Sequence, residues 1–256
     1  MFPKKFWNEF RLSAWSNEIF VGMWFDGDNI KKRYENIILQ AINKTSLTPR
    51  FLKNILTGDS IPSDIMKGIV ECKLVLFDIS PMLDMKIQDN YIRNSNVMFE
   101  LGLACTWRNA EEIIITRDDD GRLPTDIQHI GVLKYDTKNE TQAIEEIHKT
   151  IVFRLNQVEK IQKSIVRKTA ENLTIQAYNL LIQSKGKICH DANLKEIDKL
   201  LAIPLLLNLG LMEMLTDGKG YGYHPTQLGK EVILYGGGQL EEDDIENYKS
   251  LFQPEY

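Results

Sequence analysis

A chain of 256 residues, 43% apolar and 26% charged, has room for one large domain, or for a medium domain followed by a small one. Its formal net charge of −5 and pI near 5.5 exclude a chain-wide attraction to polyanions, so a nucleic-acid site would have to be a local patch. Cys72, Cys105 and Cys189 are far apart and odd in number, which implies no disulfide framework and points to a reducing compartment.

Residues 1–16 carry Phe2, Phe6, Trp7, Phe10 and Trp15 and read as a docking arm; they lack the unbroken apolar core of a signal peptide. Ile19 to Trp24 is a buried strand, and Phe25-Asp26-Gly27-Asp28 is its turn. Asp28 or Asn29 then caps a helix with Ile30, Tyr34, Ile37, Ile38, Ala41 and Ile42 at helical spacing. Gly22 marks a place where backbone comes close to a ligand, or simply a crowded strand. A weaker strand is expected over Thr48 to Leu52, and a helix over Ser63 to Cys72. Leu74 to Ile79 is an apolar run containing one acid, Asp78, as in a buried parallel strand whose tip opens into a site. Pro81 to Ile92 reads as a mobile loop able to close over a substrate.

The next stretch organises the rest. Ser95 or Asn96 caps a helix in which Val97, Met98, Leu101, Ala104 and Cys105 form an apolar stripe, with Glu100 at its border. A reciprocal capping box would need its acid where Phe99 stands, so capping does not explain Glu100. Strands follow at Glu112 to Thr116 and Gly131 to Asp136, separated by the solvated acidic turn Asp118-Asp119-Asp120-Gly121, and a helix over about 138–163 closes the domain. This alternation predicts an α/β fold, a flavodoxin/Rossmann-like parallel sheet of about five strands occupying 17–165.

Beyond residue 165 the pattern changes. Helices are expected around Leu173 to Ile182, Ala192 to Ala202 and Pro204 to Leu209, followed by strands at Leu211 to Leu215 and Tyr223 to Thr226 and a last helix from Leu228. This looks like a small winged-helix domain over 166–236, with an acidic tail over 237–256. Its lysines are nearly matched by acids, so protein contact, either self-association or a regulatory partner, is favoured over DNA. The longest apolar run, Leu200 to Met212, is broken by Pro204, Asn208 and Gly210, too short to cross a bilayer, and a cytoplasmic protein is expected.

The Asp78-Ile79-Ser80 strand end and the string Asn94-Ser95-Asn96-Val97-Met98-Phe99-Glu100-Leu101-Gly102-Leu103-Ala104 resemble the nucleoside 2-deoxyribosyltransferase-like superfamily, which includes TIR-like domains that cleave NAD. The resemblance spans roughly Ile19 to Asp136 and includes Leu123-Pro124-Thr125-Asp126-Ile127. It implies N-glycosidic cleavage of a nucleotide, NAD first among the candidates, by an effector of bacterial antiphage defence. Glu100 takes the place of the carboxylate that attacks or stabilises the anomeric carbon. Gly22, Trp24, Phe25, Asp26, Asp78, Ser80, Asn94, Asn96 and Met98 would line the substrate site, with Trp24 and Phe25 stacking on a base and Asn94 and Asn96 holding ribose hydroxyls. Deoxyribosyltransferases carry an aspartate where this chain has Asn94, which favours hydrolysis over base exchange. Deoxyribosyl transfer, nucleoside hydrolysis and a non-catalytic nucleotide sensor stay open. A phosphoacceptor layout built on Asp26, Asp28, Asp78, Thr116 and Lys134 matches only loosely. The histidines lack ligand spacing, and neither a metal site nor a cofactor besides the nucleotide substrate is expected.

Overall fold

A computed structural model describes residues 16–25, 30–51, 61–87, 90–123, 127, 131–216 and 221–240. The expected arm up to Trp15, Asp26, Asp28, the stretch Pro124 to Asp126 and the tail from residue 241 lie outside them.

The three central strands of the sheet are buried by their own composition. Leu74 to Phe77 are all fully buried, as a strand covered on both faces requires. The strands β1 (Ser16–Met23), β2 (Thr48–Arg50), β3 (Cys72–Asp78), β6 (Ile113–Arg117) and β7 (Val132–Lys134) form one sheet in the order β2-β1-β3-β6-β7. Every pairing in it is parallel. Counted within the sheet, this is the doubly wound order 2-1-3-4-5, which reverses direction between β1 and β3.

Alternation along the strands divides two cores. Ile19, Val21 and Met23 of β1 with Leu74 and Leu76 of β3 face the helix α1 (Ile30–Ile38, continued as Leu39–Asn43) and the long helix α4 (Glu140–Glu171). The first part of α1 runs in wide π turns. Phe20, Val75 and Phe77 face α2 (Ile61–Glu71) and α3 (Ser95–Trp107), meeting Ile69, Val97, Leu101 and Ala104. Arg108 ties this layer together, donating to the carbonyls of Val70 and Lys73 and pairing with Glu112 at 2.9 Å.

Three expectations are corrected here. Pro81 to Ile92 is no loop: β4 (Pro81–Ile87) and β5 (Asn90–Arg93) pair as an antiparallel hairpin. Leu83, Met85 and Ile87 alternate with Met82, Asp84 and Lys86, a period of two that outweighs the scattered polar residues. The helix expected to end at Cys72 stops at Glu71, because Cys72 is already the first, fully buried residue of β3. Of the three aspartates expected in a solvated turn, Asp120 is exposed but Asp118 and Asp119 are not. Asp118 receives Arg33, Asp119 is buried against Arg93, and Asp120 pairs with Lys134.

Helix α4 runs past the expected end near 163. The division between two compact units falls inside it, between Lys160 and Ile161, where the sequence suggested 165/166. In the second unit α5 (Ile175–Ser184) is capped by Thr174, whose hydroxyl accepts from the Ala177 N–H, and it ends on Lys185 in a left-handed conformation. Strand β8 (Cys189–His190) precedes the turns Asp191–Asn193 and Asp198–Ala202, which lead into α6 (Ile203–Asn208). Pro204 stands in the first turn of α6, where a helix was expected to begin and where its missing N–H is no loss. β9 (Met212–Thr216) and β10 (Tyr221–Pro225) join β8 in an antiparallel sheet ordered β8-β10-β9, and α7 (Gln227–Tyr235) packs Val232 and Ile233 into the core with Leu181, Leu206 and Leu211. Among the described residues no helix is long and apolar enough to cross a membrane.

Candidate active site

Asn94, not Asn96 or Ser95, caps α3: its side-chain oxygen accepts from the N–H groups of Asn96 and Val97 at 3.0 and 3.2 Å. Only the residue before the first helical turn has the extended backbone that turns a side-chain oxygen back onto those donors. Counted from this cap, Val97, Leu101 and Ala104 point into the sheet, and Glu100 stands at the edge of that face, half-buried.

Its carboxylate reaches the sheet itself. A side-chain carbon placed on Gly22 would lie 3.0 Å from Glu100 Oε2 and 2.5 and 2.6 Å from Cδ1 and Cε1 of Phe77. Gly22 and Phe77 are register partners on β1 and β3. Glu100 thus sits one residue from the carboxyl end of both strands, at the point where the strand order reverses, which is where open α/β sheets take their ligands. Among the described residues it has neither a hydrogen bond nor an ion pair. Burial alone pushes its carboxyl up to about 7.

Asp78 is one residue beyond Phe77 and therefore faces the other side of the sheet. There Tyr135 donates its hydroxyl to Oδ2 at 2.5 Å and the Ser80 N–H donates to Oδ1 at 2.8 Å. Burial raises the Asp78 carboxyl, while the bonds from Ser80 and Tyr135 and the nearby Arg33 charge pull it back down. Burial, with the Asp78 charge beside it, also pushes the Tyr135 hydroxyl well up. The Ser80 hydroxyl accepts from the Asp118 N–H at 3.1 Å, and Arg33 holds the Asp118 carboxylate from Nε and Nη2 at 3.0 and 2.7 Å. Asp78 and Ser80, expected beside the sugar, are bound into this network.

The remaining expected residues divide in the same way. Asn96 lies one turn before Glu100 on the same side of α3 and is exposed. Asn94 is adjacent, with its oxygen committed to the cap. Met98 turns to the opposite border of the helix and packs on the α2–α3 core. Trp24 is half-buried just past β1. Phe25 is not a free stacking surface: its ring stacks on Phe51 at 5.2 Å and meets Tyr34 edge-on at 5.7 Å.

Sequence reasoning missed the clamps. Arg93 donates to both oxygens of Asp119 at 3.0 Å and to the Ile79 carbonyl, and Arg33 also reaches the Pro81 carbonyl at 3.2 Å. These contacts fasten both ends of the β4–β5 hairpin to the loop after β6. The available signal was an acidic triplet directly after a buried strand in a chain with arginines beside two predicted element ends. Among the described residues no three His, Cys, Asp or Glu side chains gather closely enough to hold a metal ion. What the arrangement offers is one desolvated, unpaired carboxylate that can exchange a proton or face a developing positive charge. No family model and no curated protein matches this chain.

Proposed function

We propose that the α/β unit cleaves the N-glycosidic bond of a nucleotide, NAD first among the candidates, with Glu100 beside the anomeric carbon. One observation carries this reading: Glu100 is the carboxylate left unpaired at the β1/β3 switch point. As the bond breaks, its electron pair leaves with the base nitrogen and positive charge develops on the sugar ring. An ionised carboxylate there lowers the barrier either as a fixed counter-charge or by bonding to the sugar carbon, which water then releases. A site with no competing cation among the described residues keeps that charge free for the transition state. The resemblance of the Asn94 to Ala104 string to NAD-cleaving TIR-like domains supports the choice of substrate, and Asn94 in place of an aspartate supports hydrolysis over base exchange.

The test is incubation of purified protein with NAD, NADP and a panel of nucleosides, with separation of products. Free nicotinamide and ADP-ribose, lost in Glu100→Gln, would establish the activity. Nucleotide binding without turnover in the wild type would replace it by the sensor reading.

For the second unit we read a winged helix that contacts protein, either a second copy or a regulator, within a cytoplasmic defence effector. The succession of helix, short strand, helical turns, helix and two strands supports this, as does a sheet that places its last strand in the middle. Ile197, Leu200 and Leu201 are exposed apolar residues at helical spacing, and lysines and acids are interspersed around them, a surface suited to protein more than to phosphates. Leu200→Glu should weaken self-association in sedimentation runs or abolish partner capture; strongly salt-dependent duplex binding by the full chain would favour DNA.

A further inference from the structure

The space above Gly22 is shared by two groups of opposite character. The Phe77 ring fills most of it, packed in the core with Phe20 at 6.0 Å and fully buried, and Glu100 Oε2 takes the remainder. Gly22 is itself buried, has no positive φ, and lies inside a regular strand. Backbone conformation therefore does not require glycine here; only the missing side chain does. We propose that Gly22 is the positioning residue of the site: its bare backbone makes the seat in which the Glu100 carboxylate is held against β1, partly shielded from water and with no cation partner among the described residues.

The proposal rests on the reading of Glu100 as the catalytic carboxylate and replaces the expected role of Gly22 as a ligand contact. A methyl group at Gly22 would be 2.5 Å from the Phe77 ring and 3.0 Å from the carboxylate, where ordinary contact begins at 3.4 Å. Both must yield: the ring contact is closer than any side-chain carbon tolerates, and the carboxylate has to give by a few tenths of an ångström. Phe77 is fully buried, so its shift strains the core, whereas Glu100 is half-buried and can move outward toward solvent. Among the described residues the elements packed on it bring no charge of their own to this spot: β1 presents Gly22, β3 presents Phe77, α3 presents Val97 and Leu101, and Asp78 faces the other side of the sheet.

The test uses the full-length protein with Glu100 followed by carboxyl-resolved NMR, which needs no activity. In the wild type the Glu100 carboxyl, pushed up by burial, should titrate at about 7; in Gly22→Ala it should fall toward the ordinary 4.5. Phe77→Leu serves as the control, because it disturbs the same packing and leaves the seat bare, so Glu100 should keep its high value. Should Gly22→Ala fail to fold, Gly22→Ala/Phe77→Leu removes the ring clash and retains the close contact with the carboxylate, and it too should titrate low. If nucleotide cleavage is found, Gly22→Ala should lose about 10- to 100-fold in kcat with KM little changed, and the acid limb of its pH profile should move down. A Glu100 titration unchanged in both Gly22 variants would overturn the proposal, even if activity fell. A wild type without nucleotide cleavage would overturn the functional reading and leave the titration result standing.

Discussion

The two faces of one sheet end treat their acids in opposite ways. On the α1–α4 face Asp78 has a donor on each oxygen, and Arg33, Ser80, Tyr135 and Asp118 complete a connected network. On the α2–α3 face, one residue away along the strand, Glu100 lies by a phenyl ring and a bare stretch of backbone, with no hydrogen bond or ion pair among the described residues. Both carboxyls are raised by burial, but only that of Asp78 is pulled back by hydrogen bonds and a neighbouring guanidinium. A buried charge with all its partners holds a fold together. One without partners is held at a cost to stability, and that cost is what makes it available to a ligand.

The contrast breaks most directly at Glu100 itself. Glu100→Gln should lower turnover about 100-fold or more, since removing a pre-placed transition-state charge costs about 3 kcal/mol. Product separation under saturating nucleotide would measure it, and full activity in the variant would remove Glu100 from the chemistry. Next in size comes the clamp on the hairpin. Arg93→Met leaves Asp119 buried with Arg117 as a distant partner at 3.8 Å, and should destabilise the protein by about 3 kcal/mol in urea melts. Hydrogen exchange should then show faster amides in β5, whereas in the wild type their pairing with β4 should protect them.

On the networked face, Tyr135→Phe removes one donor from Asp78 and should cost about 1–3 kcal/mol of stability. Turnover should change by less than about tenfold. A large loss of turnover with unchanged stability would instead place Asp78 at the substrate and erase the distinction between the faces. The smallest effect is on pH dependence. Glu100 binds its proton more tightly folded, about 7 against 4.5, so the folded state is favoured below 4.5 and loses that advantage as pH rises through 7. Glu100→Gln lacks this loss, so its stability relative to wild type should grow from pH 4.5 to 8 by about 1–2 kcal/mol, a figure reduced for partial exposure. Paired melts at the two pH values would read it. For catalysis the sign is opposite: kcat/KM should rise with pH through about 7, because the ionised form stabilises the cationic centre.

Much of this was written in local pattern. Apolar runs such as Leu74 to Phe77 and the helical spacing of Ile37, Ile38, Ala41 and Ile42 depend only on neighbours in sequence, and they led to the five-stranded α/β sheet and to Glu100 at the border of a helix. The β4–β5 hairpin was legible too, had alternation been weighed above polar content. The partners of the charges were not. Arg33 and Asp118 are 85 residues apart and Tyr135 and Asp78 57 apart, so only the closing of the sheet decides that they meet. The same holds for Gly22. Its glycine is visible in the sequence, but that its empty side is filled by Phe77 and Glu100 depends on strand register and on the angle at which α3 crosses the sheet, and neither quantity is set by any one segment of the chain.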